Sequence, residues 1–168
     1  ARTESRHIID YMTRVALHYP QVSFSFMHNN KILFDLPRTE KQLERIPSLL
    51  GEHFFTSLLP VDAEEGSVRL VGFLTKPQTA TQINQKQYLT VNNRSITDKM
   101  ISTAIKDAYG TLVEQTTHPA YILNVIVPQE FVDVNVHPRK ETVRFANHSL
   151  LYDTVFAAVK KTLGQHKI

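Results

Sequence analysis

The segment from Val132 to Lys140 combines an alternating strand pattern with a lysine that follows a proline. Its valines recur at every second position, which predicts a strand with one apolar face. Pro138 has no N–H to donate to a sheet, and the residue before a proline is held extended, so the strand ends at His137. Lys140 therefore follows a defined endpoint. An ammonium placed in this way could contact a phosphate in another domain. The alternative is an ordinary solvated lysine in a loop.

A second group of positive charges lies between a predicted strand and a predicted helix. Arg94 follows a two-asparagine turn, Lys99 stands at the start of the helix, and Lys106 lies seven residues further along the same helix face. The N-terminus of a helix favours phosphate groups because its free amides and its dipole attract negative charge. These three residues are candidates for nucleic-acid contact. Solvated charges on helices are common, so the pattern alone leaves both explanations open.

The sequence contains no recognisable catalytic or metal site of its own. It has no cysteine, and none of its eight histidines pairs with another at the helical spacing that a zinc site would require. A Ser–His–Asp triad is defined by geometry and cannot be picked out from sequence position. The five glycines are too widely spaced to form a loop that cradles phosphates. We therefore predict that this chain alone holds no metal and no nucleotide.

The composition indicates one ordinary globular domain that spans residues 1–168. Apolar residues make up 42% of the chain and charged residues 21%, which favours a packed core over disorder. Nineteen Lys and Arg stand against sixteen Asp and Glu, a balance that is compatible with nucleic acid without requiring it. No apolar run approaches the roughly 20 residues needed to cross a bilayer, and no signal peptide opens the chain. No membrane partner is expected.

Hydrophobic periodicity and turn residues predict the element order α-β-β-α-β-β-α-β-β-α. Residues 28–31 are predicted to form a tight hairpin in which Asn30 takes the usual glycine position. Thr97 is the expected cap of the helix after the two-asparagine turn, and Gly164 is expected to end the last helix. The acid pair at 64–65 is typical of a solvated loop. Mixed strands with helices mainly on one face indicate a two-layer α/β sandwich.

Several of these segments resemble motifs of the MutL mismatch-repair family. Residues 87–109 resemble its VNGR…D(R/K)…AI..AY block, and residues 132–145 resemble its VDVNVHPxKxEVRF signature, which is the specific part. Residues 72–77 are similar to its GxxxKP segment, and residues 28–31 are similar to its HNGK hairpin. The predicted helix at 149–163 matches the one that follows the signature. The resemblance extends through nearly the whole chain.

The resemblance implies a transducer domain that follows a GHKL-type ATPase domain. Such a domain is an α/β sandwich shared with gyrase B and the GHMP kinases, with a left-handed βαβ crossover that breaks the usual right-handed rule. The family's lysine after His-Pro falls on Lys140, which would contact the γ-phosphate of ATP and stabilise charge on the transferring phosphoryl group. The family's basic DNA-binding residue falls on Lys99, with Arg94 in the adjoining turn and Lys106 further along the helix.

The resemblance also implies cofactors and partners for a longer protein. ATP and Mg²⁺ would be held by the upstream ATPase domain, so this chain alone is expected to bind neither and to be inactive as an enzyme. The implied partners are that ATPase domain, double- or single-stranded DNA bound without sequence preference, a MutS-type mismatch-recognition protein and a second copy of the full-length protein. The implied location is the bacterial cytoplasm, in association with the nucleoid, or the nucleus of a eukaryote.

The chain departs from the family pattern in two respects. Both Asn-Gly turns read Asn-Asn, at 29–30 and at 92–93. Asparagine tolerates the positive φ that such turns need better than other residues with a side chain, so the turns are expected to form. After Lys140, the order Glu141-Thr142 displaces the family's glutamate by one position, which leaves Lys140 unaffected.

Three other functions stay open at the level of sequence. A type II topoisomerase transducer would share the fold and the use of a lysine, although its lysine motif differs from the one found here. A GHMP-type small-molecule kinase would need a glycine-rich phosphate loop, which the sequence lacks. A non-catalytic module that binds nucleic acid or protein is the remaining alternative.

Overall fold

The computed structural model of the chain describes residues 2–81, 86–133 and 144–166. The chain forms two compact units, Ala1–Thr56 and Ser57–Ile168, which are described separately as unit 1 and unit 2. That residues 1–168 form one transducer domain stays a prediction. In the described part of the chain, no helix combines the length and the apolar character needed to cross a bilayer.

The described residues of unit 1 form a β-hairpin and three helices. In chain order they are α1 (Arg2–His18), β1 (Phe24–His28), β2 (Lys31–Leu36), α2 (Gln42–Leu50) and α3 (Glu52–Thr56). The two strands are antiparallel and pair Phe26 with Phe34. Asn29 and Asn30 have φ values of 49° and 61°. The predicted hairpin, with Asn30 in the glycine position, is therefore confirmed.

A buried arginine links the segments of unit 1. Arg45 on α2 is 1% exposed, and its two terminal nitrogens donate four hydrogen bonds of 2.6 to 3.0 Å. The acceptors are the main-chain carbonyl oxygens of Ala16, Tyr19, Val22 and Pro37. Burial lowers the pKa of Arg45. The four charge-assisted bonds offset the lost hydration, and one side chain thereby joins α2 to the segments that flank the hairpin.

Unit 2 is built on a mixed sheet. Its described elements are β3 (Leu58–Glu65), β4 (Val68–Thr75), β5 (Gln87–Val91), β6 (Arg94–Ser95), α4 (Lys99–Tyr109), β7 (Tyr121–Ile126), β8 (Val132–Asp133), β9 (Arg144–Phe145) and α5 (His148–Gln165). Five strands form one sheet in the order β3-β4-β7-β5-β6. The central strand β7 is antiparallel to β4 and parallel to β5, which confirms the predicted mixed sheet.

The core of unit 2 lies between one face of this sheet and two helices. Leu123 and Val125 on β7 are 2% and 0% exposed, and they pack with Ile105 of α4 and Val155 of α5 in a single buried cluster. Leucines and valines at the registered positions of the neighbouring strands belong to the same cluster. This arrangement is the predicted two-layer α/β sandwich. The handedness of the crossover from β5 to β7 stays a prediction.

Two elements differ from the predicted order, which has a single strand between α2 and β5. The structure has β3 and β4 there, preceded by the short helix α3. Strand β3 lies at the sheet edge, and its outward positions are Pro60, Asp62 and Glu64, residue types that are depleted in strands. Proline is tolerated at an edge because its missing N–H costs no ladder bond there. The acid pair at 64–65 therefore ends a strand, and its prediction as a loop is wrong.

Buried hydrogen bonds join the end of α4 to the sheet. The Tyr109 hydroxyl donates to the carbonyl oxygen of Thr75 at 2.5 Å, and the Thr75 hydroxyl donates to the carbonyl oxygen of Ala120 at 2.5 Å. Tyr109 is 1% exposed, and burial raises the pKa of its hydroxyl well above the ordinary range. These bonds satisfy polar groups that would otherwise be costly in the core.

Gly72 on β4 lies opposite Leu123 in the pairing of β4 with β7. A Cβ atom at this position would lie 2.0 Å from the carbonyl oxygen of Ile122, and the φ of Gly72 is 140°. We expect Gly72→Ala to lower the free energy of unfolding by about 3 kcal/mol or more, because the pairing of two core strands must shift. Urea denaturation followed by circular dichroism measures this loss.

Gly164 provides the matched control. It was expected to end the last helix, but α5 continues to Gln165, and a Cβ atom on Gly164 would meet nothing within 4 Å. Gly164→Ala should leave the free energy of unfolding unchanged or raise it by up to about 1 kcal/mol, because alanine favours a helix interior. Equal losses from the two substitutions would contradict the explanation given for Gly72.

Candidate nucleic-acid interface

The turn between β5 and β6 is built on two asparagines with positive φ. Asn92 and Asn93 have φ values of 48° and 65°, and the strands on either side pair Val91 with Arg94. Turns of this kind match the twist of the flanking strands and need left-handed backbone at both central residues. The predicted turn is therefore confirmed, with asparagine at both positions.

Side-chain amides attach this turn to the neighbouring strand β7. The Asn92 N–H donates to the carbonyl oxygen of Val125, and the Asn92 side-chain oxygen accepts from the Val127 N–H, both at 2.9 Å. The Asn124 side-chain nitrogen donates to the side-chain oxygen of Asn93 at 2.9 Å. Sequence reasoning missed these contacts. The available signal was Asn124 itself, a lone polar residue within an otherwise apolar or aromatic strand.

Helix α4 begins one residue later than the sequence predicts. Its cap is Asp98, whose carboxylate accepts a hydrogen bond of 2.8 Å from the Ile101 N–H, and Lys99 is the first helical residue. The prediction that Thr97 is the cap is wrong. A carboxylate is a strong acceptor, and its charge interacts favourably with the helix dipole. Since Asp98 already uses this amide, contact with phosphates here would depend mainly on cationic side chains.

The three candidate cations lie around this turn and helix. Arg94 opens β6 and is half-buried, whereas Lys99 is exposed at the start of α4. Lys106 is half-buried and lies seven residues further, about 10 Å along the helix axis. It lines an open hollow together with Asp107 and Glu114, whose carboxylates lower the positive potential around it. The geometry therefore favours Arg94 and Lys99 over Lys106 as phosphate contacts.

The signature segment 132–145 is described at its two ends. There β8 and β9 pair antiparallel, with Val132 opposite Phe145, so the two ends of the segment lie side by side. Phe145 is 3% exposed and belongs to the core cluster, so the β8–β9 pair is anchored in the core of unit 2. Residues 134–143 lie outside the described residues, and the predicted phosphate contact Lys140 lies among them.

A family model matches most of the chain. It is the model for the C-terminal domain of DNA mismatch repair proteins, and it aligns with residues 46–164. The chain belongs to the MutL family of DNA mismatch-repair proteins. The MutL protein of Neisseria meningitidis serogroup C is 37% identical over 162 residues, and that of Christiangramia forsetii is 34% identical over 165 residues. These alignments cover 96% and 98% of the chain and 24% and 27% of the relatives, so the chain spans about a quarter of their length.

Solved structures share the fold of this MutL-family chain. The N-terminal domain of a DNA repair protein superposes with a TM-score of 0.78 at 18% identity, over 98% of this chain and 55% of the other. The ATPase domain of Aquifex aeolicus MutL, complexed with ADP, has a TM-score of 0.60 at 18% identity, over 99% of this chain and 50% of the other. The likeness is one of fold, and this chain spans about half of each solved chain.

The cap of α4 gives the first test at this site. Asp98→Ala removes the acceptor for the Ile101 N–H, and we expect the free energy of unfolding to fall by about 1 kcal/mol. Urea denaturation measures the change. Thr97→Ala is the matched control and should alter the free energy by less than about 0.5 kcal/mol. A larger loss at Thr97 than at Asp98 would show that the cap is assigned to the wrong residue.

Proposed function

We propose that this chain is the transducer part of a MutL-type mismatch-repair protein. In that role it would complete the ATP site of an upstream ATPase domain and present a surface to DNA. The observation that carries this proposal is the family match over residues 46–164, which includes the signature segment with its paired ends. ATP binding and hydrolysis on the neighbouring domain would then control how the transducer meets DNA and protein partners.

The proposed contribution to the ATP site is a single positive charge from Lys140. Paired strands β8 and β9 hold both ends of the segment that carries it, and Phe145 anchors that pair in the core. A lysine on a segment whose ends are held by these paired strands could contact the γ-phosphate and stabilise charge as the phosphoryl group is transferred. ATP and Mg²⁺ would be held by the other domain, because the glycines of this chain are too scattered to cradle phosphates. The fold likeness to a MutL ATPase domain complexed with ADP supports this division of roles.

The proposed DNA surface consists mainly of Arg94 and Lys99, with Lys106 as a weaker contact further along α4. Lys99 is exposed at the start of α4, and Arg94 lies on β6, just across the short connection from that helix. Long cationic side chains neutralise phosphates without reading bases, so binding would be independent of sequence and would apply to double- or single-stranded DNA.

The first proposed protein partner of this chain is the upstream ATPase domain, and unit 1 exposes apolar side chains that a partner could contact. Met27 and Ile32 are cross-strand neighbours on the hairpin of unit 1, and they are 60% and 61% exposed. These adjacent apolar side chains offer a small surface that a partner in the proposed complex would cover. A MutS-type mismatch-recognition protein and a second copy of the full-length protein complete the proposed set of partners.

The DNA surface is tested by charge reversal. Lys99→Glu should weaken binding of the 168-residue chain to a short duplex about tenfold at low salt. It should also reduce the slope of log affinity against log salt by at least about one, because at least one phosphate contact is lost. Fluorescence anisotropy at several salt concentrations measures both quantities.

Lys161→Glu is the matched control for this experiment. Lys161 is exposed on α5, and its reversal makes the same change in net charge away from the proposed surface. It should weaken binding much less than Lys99→Glu does. Equal effects from the two reversals would mean that only the overall charge matters, and the assignment to α4 would be wrong.

The role of Lys140 is tested in the full-length protein. Lys140→Ala should lower the rate of ATP hydrolysis about a hundredfold, because a charge that stabilises the transferring phosphoryl group is removed. Steady-state phosphate release measures the rate, with Lys161→Ala as the control that should leave it unchanged. The chain of 168 residues by itself should hydrolyse no ATP. Normal turnover in Lys140→Ala would refute the proposed contact.

A further inference from the structure

Asn93 adopts a backbone conformation that normally calls for glycine. Its φ is 65°, and the motif that this segment resembles has glycine at the corresponding position. Asparagine occupies this region more readily than other residues with a Cβ atom, but an unassisted asparagine also samples extended conformations. A contact from a neighbouring strand would therefore strengthen the turn conformation at Asn93.

The carboxamide of Asn124 provides that contact. Its nitrogen donates to the Asn93 side-chain oxygen at 2.9 Å, and its oxygen accepts from the Asn93 N–H at 3.2 Å. The same oxygen accepts from the Thr90 hydroxyl at 2.8 Å. Thr90 and Asn124 are directly opposite in the parallel pairing of β5 and β7, so the group is held by the sheet itself. One amide thus binds both the side chain and the backbone of Asn93.

We infer that Asn124 and Asn93 together position Arg94 for phosphate contact, an inference that rests on the DNA surface proposed above. Arg94 is the residue directly after Asn93, and it pairs with Val91 across the turn. The backbone torsions of Asn93 therefore determine the direction in which Arg94 leaves the turn. The two asparagines are positioning residues, and the contact with DNA belongs to Arg94.

The arrangement explains how the turn can dispense with glycine. Glycine adopts positive φ at no steric cost, so it needs no amide partner. With asparagine, the amide pair supplies the preference for the same backbone conformation. The amide pair should accordingly become dispensable for DNA binding once residue 93 is glycine. A hydrogen bond that only stabilised the fold would still be needed in that background.

The experiment measures duplex DNA affinity by fluorescence anisotropy for the 168-residue chain and its variants. Arg94→Ala and Asn124→Ala should each weaken binding, the former about tenfold and the latter about threefold. Asn124→Ala should have little further effect in the Arg94→Ala background, because the two act through one contact. The double variant Asn93→Gly with Asn124→Ala should recover most of the affinity lost in Asn124→Ala.

Gln87→Ala is the control for the loss of an amide elsewhere in the sheet. Its side chain donates to the carbonyl oxygen of Pro119 at 3.1 Å, at the opposite end of β5 from the turn. It should lower the melting temperature without changing DNA affinity. Lost affinity in Asn124→Ala that persists with Asn93→Gly, or that is fully additive with Arg94→Ala, would overturn the positioning role. Unchanged affinity in Arg94→Ala would instead refute Arg94 as a contact and remove the basis of this inference.

Discussion

Strand β7 is hydrogen-bonded to β4 on one side and to β5 on the other, and the features proposed to be functional are attached to it or to its ends. Its buried face packs against α4 and α5 through Leu123 and Val125. Its backbone passes so close to β4 that only a glycine fits at position 72. A strand enclosed in this way cannot shift by one residue without moving its apolar side chains off the core. It therefore provides a fixed reference for the turn beside it.

The opposite face of β7 connects this rigid core to the proposed site. Asn124 lies on that face, and its amide holds the turn from which Arg94 emerges. Just beyond β7 the chain reaches β8, whose pairing with β9 fixes the two ends of the segment that carries Lys140. The DNA contact and the nucleotide contact would thus depend on one strand. In the proposed role, the two contacts would be held in fixed positions relative to each other, because a close-packed core deforms little.

Local chemistry explains which features could be predicted from the sequence. Both two-asparagine turns were predicted because asparagine tolerates positive φ, which is a property of the residue itself. Strand β3 was missed because an edge strand admits Pro60 and outward acids that a buried strand would exclude. The cap was predicted at Thr97 and lies at Asp98, because both residue types can cap a helix and the pattern does not separate neighbouring candidates.

Sequence patterns did not predict the long-range hydrogen bonds. The four carbonyl partners of Arg45 lie up to 29 residues away, and Asn124 is 31 residues from Asn93. An arginine in an amphipathic helix and an asparagine in a strand give no periodic signal that identifies such partners. The family signature, in contrast, could be recognised in the sequence because it is a contiguous run of residues. The family model confirms the membership that the signature indicated.

NMR titration of the ¹⁵N-labelled chain with a short DNA duplex at low salt tests most directly whether the turn beside β7 presents a surface to DNA. Amide shift changes should be concentrated in residues 92–106 and should disappear as salt is raised, because phosphate contacts release counterions. Shift changes confined to α1 or α5, or changes that are insensitive to salt, would contradict the proposed surface.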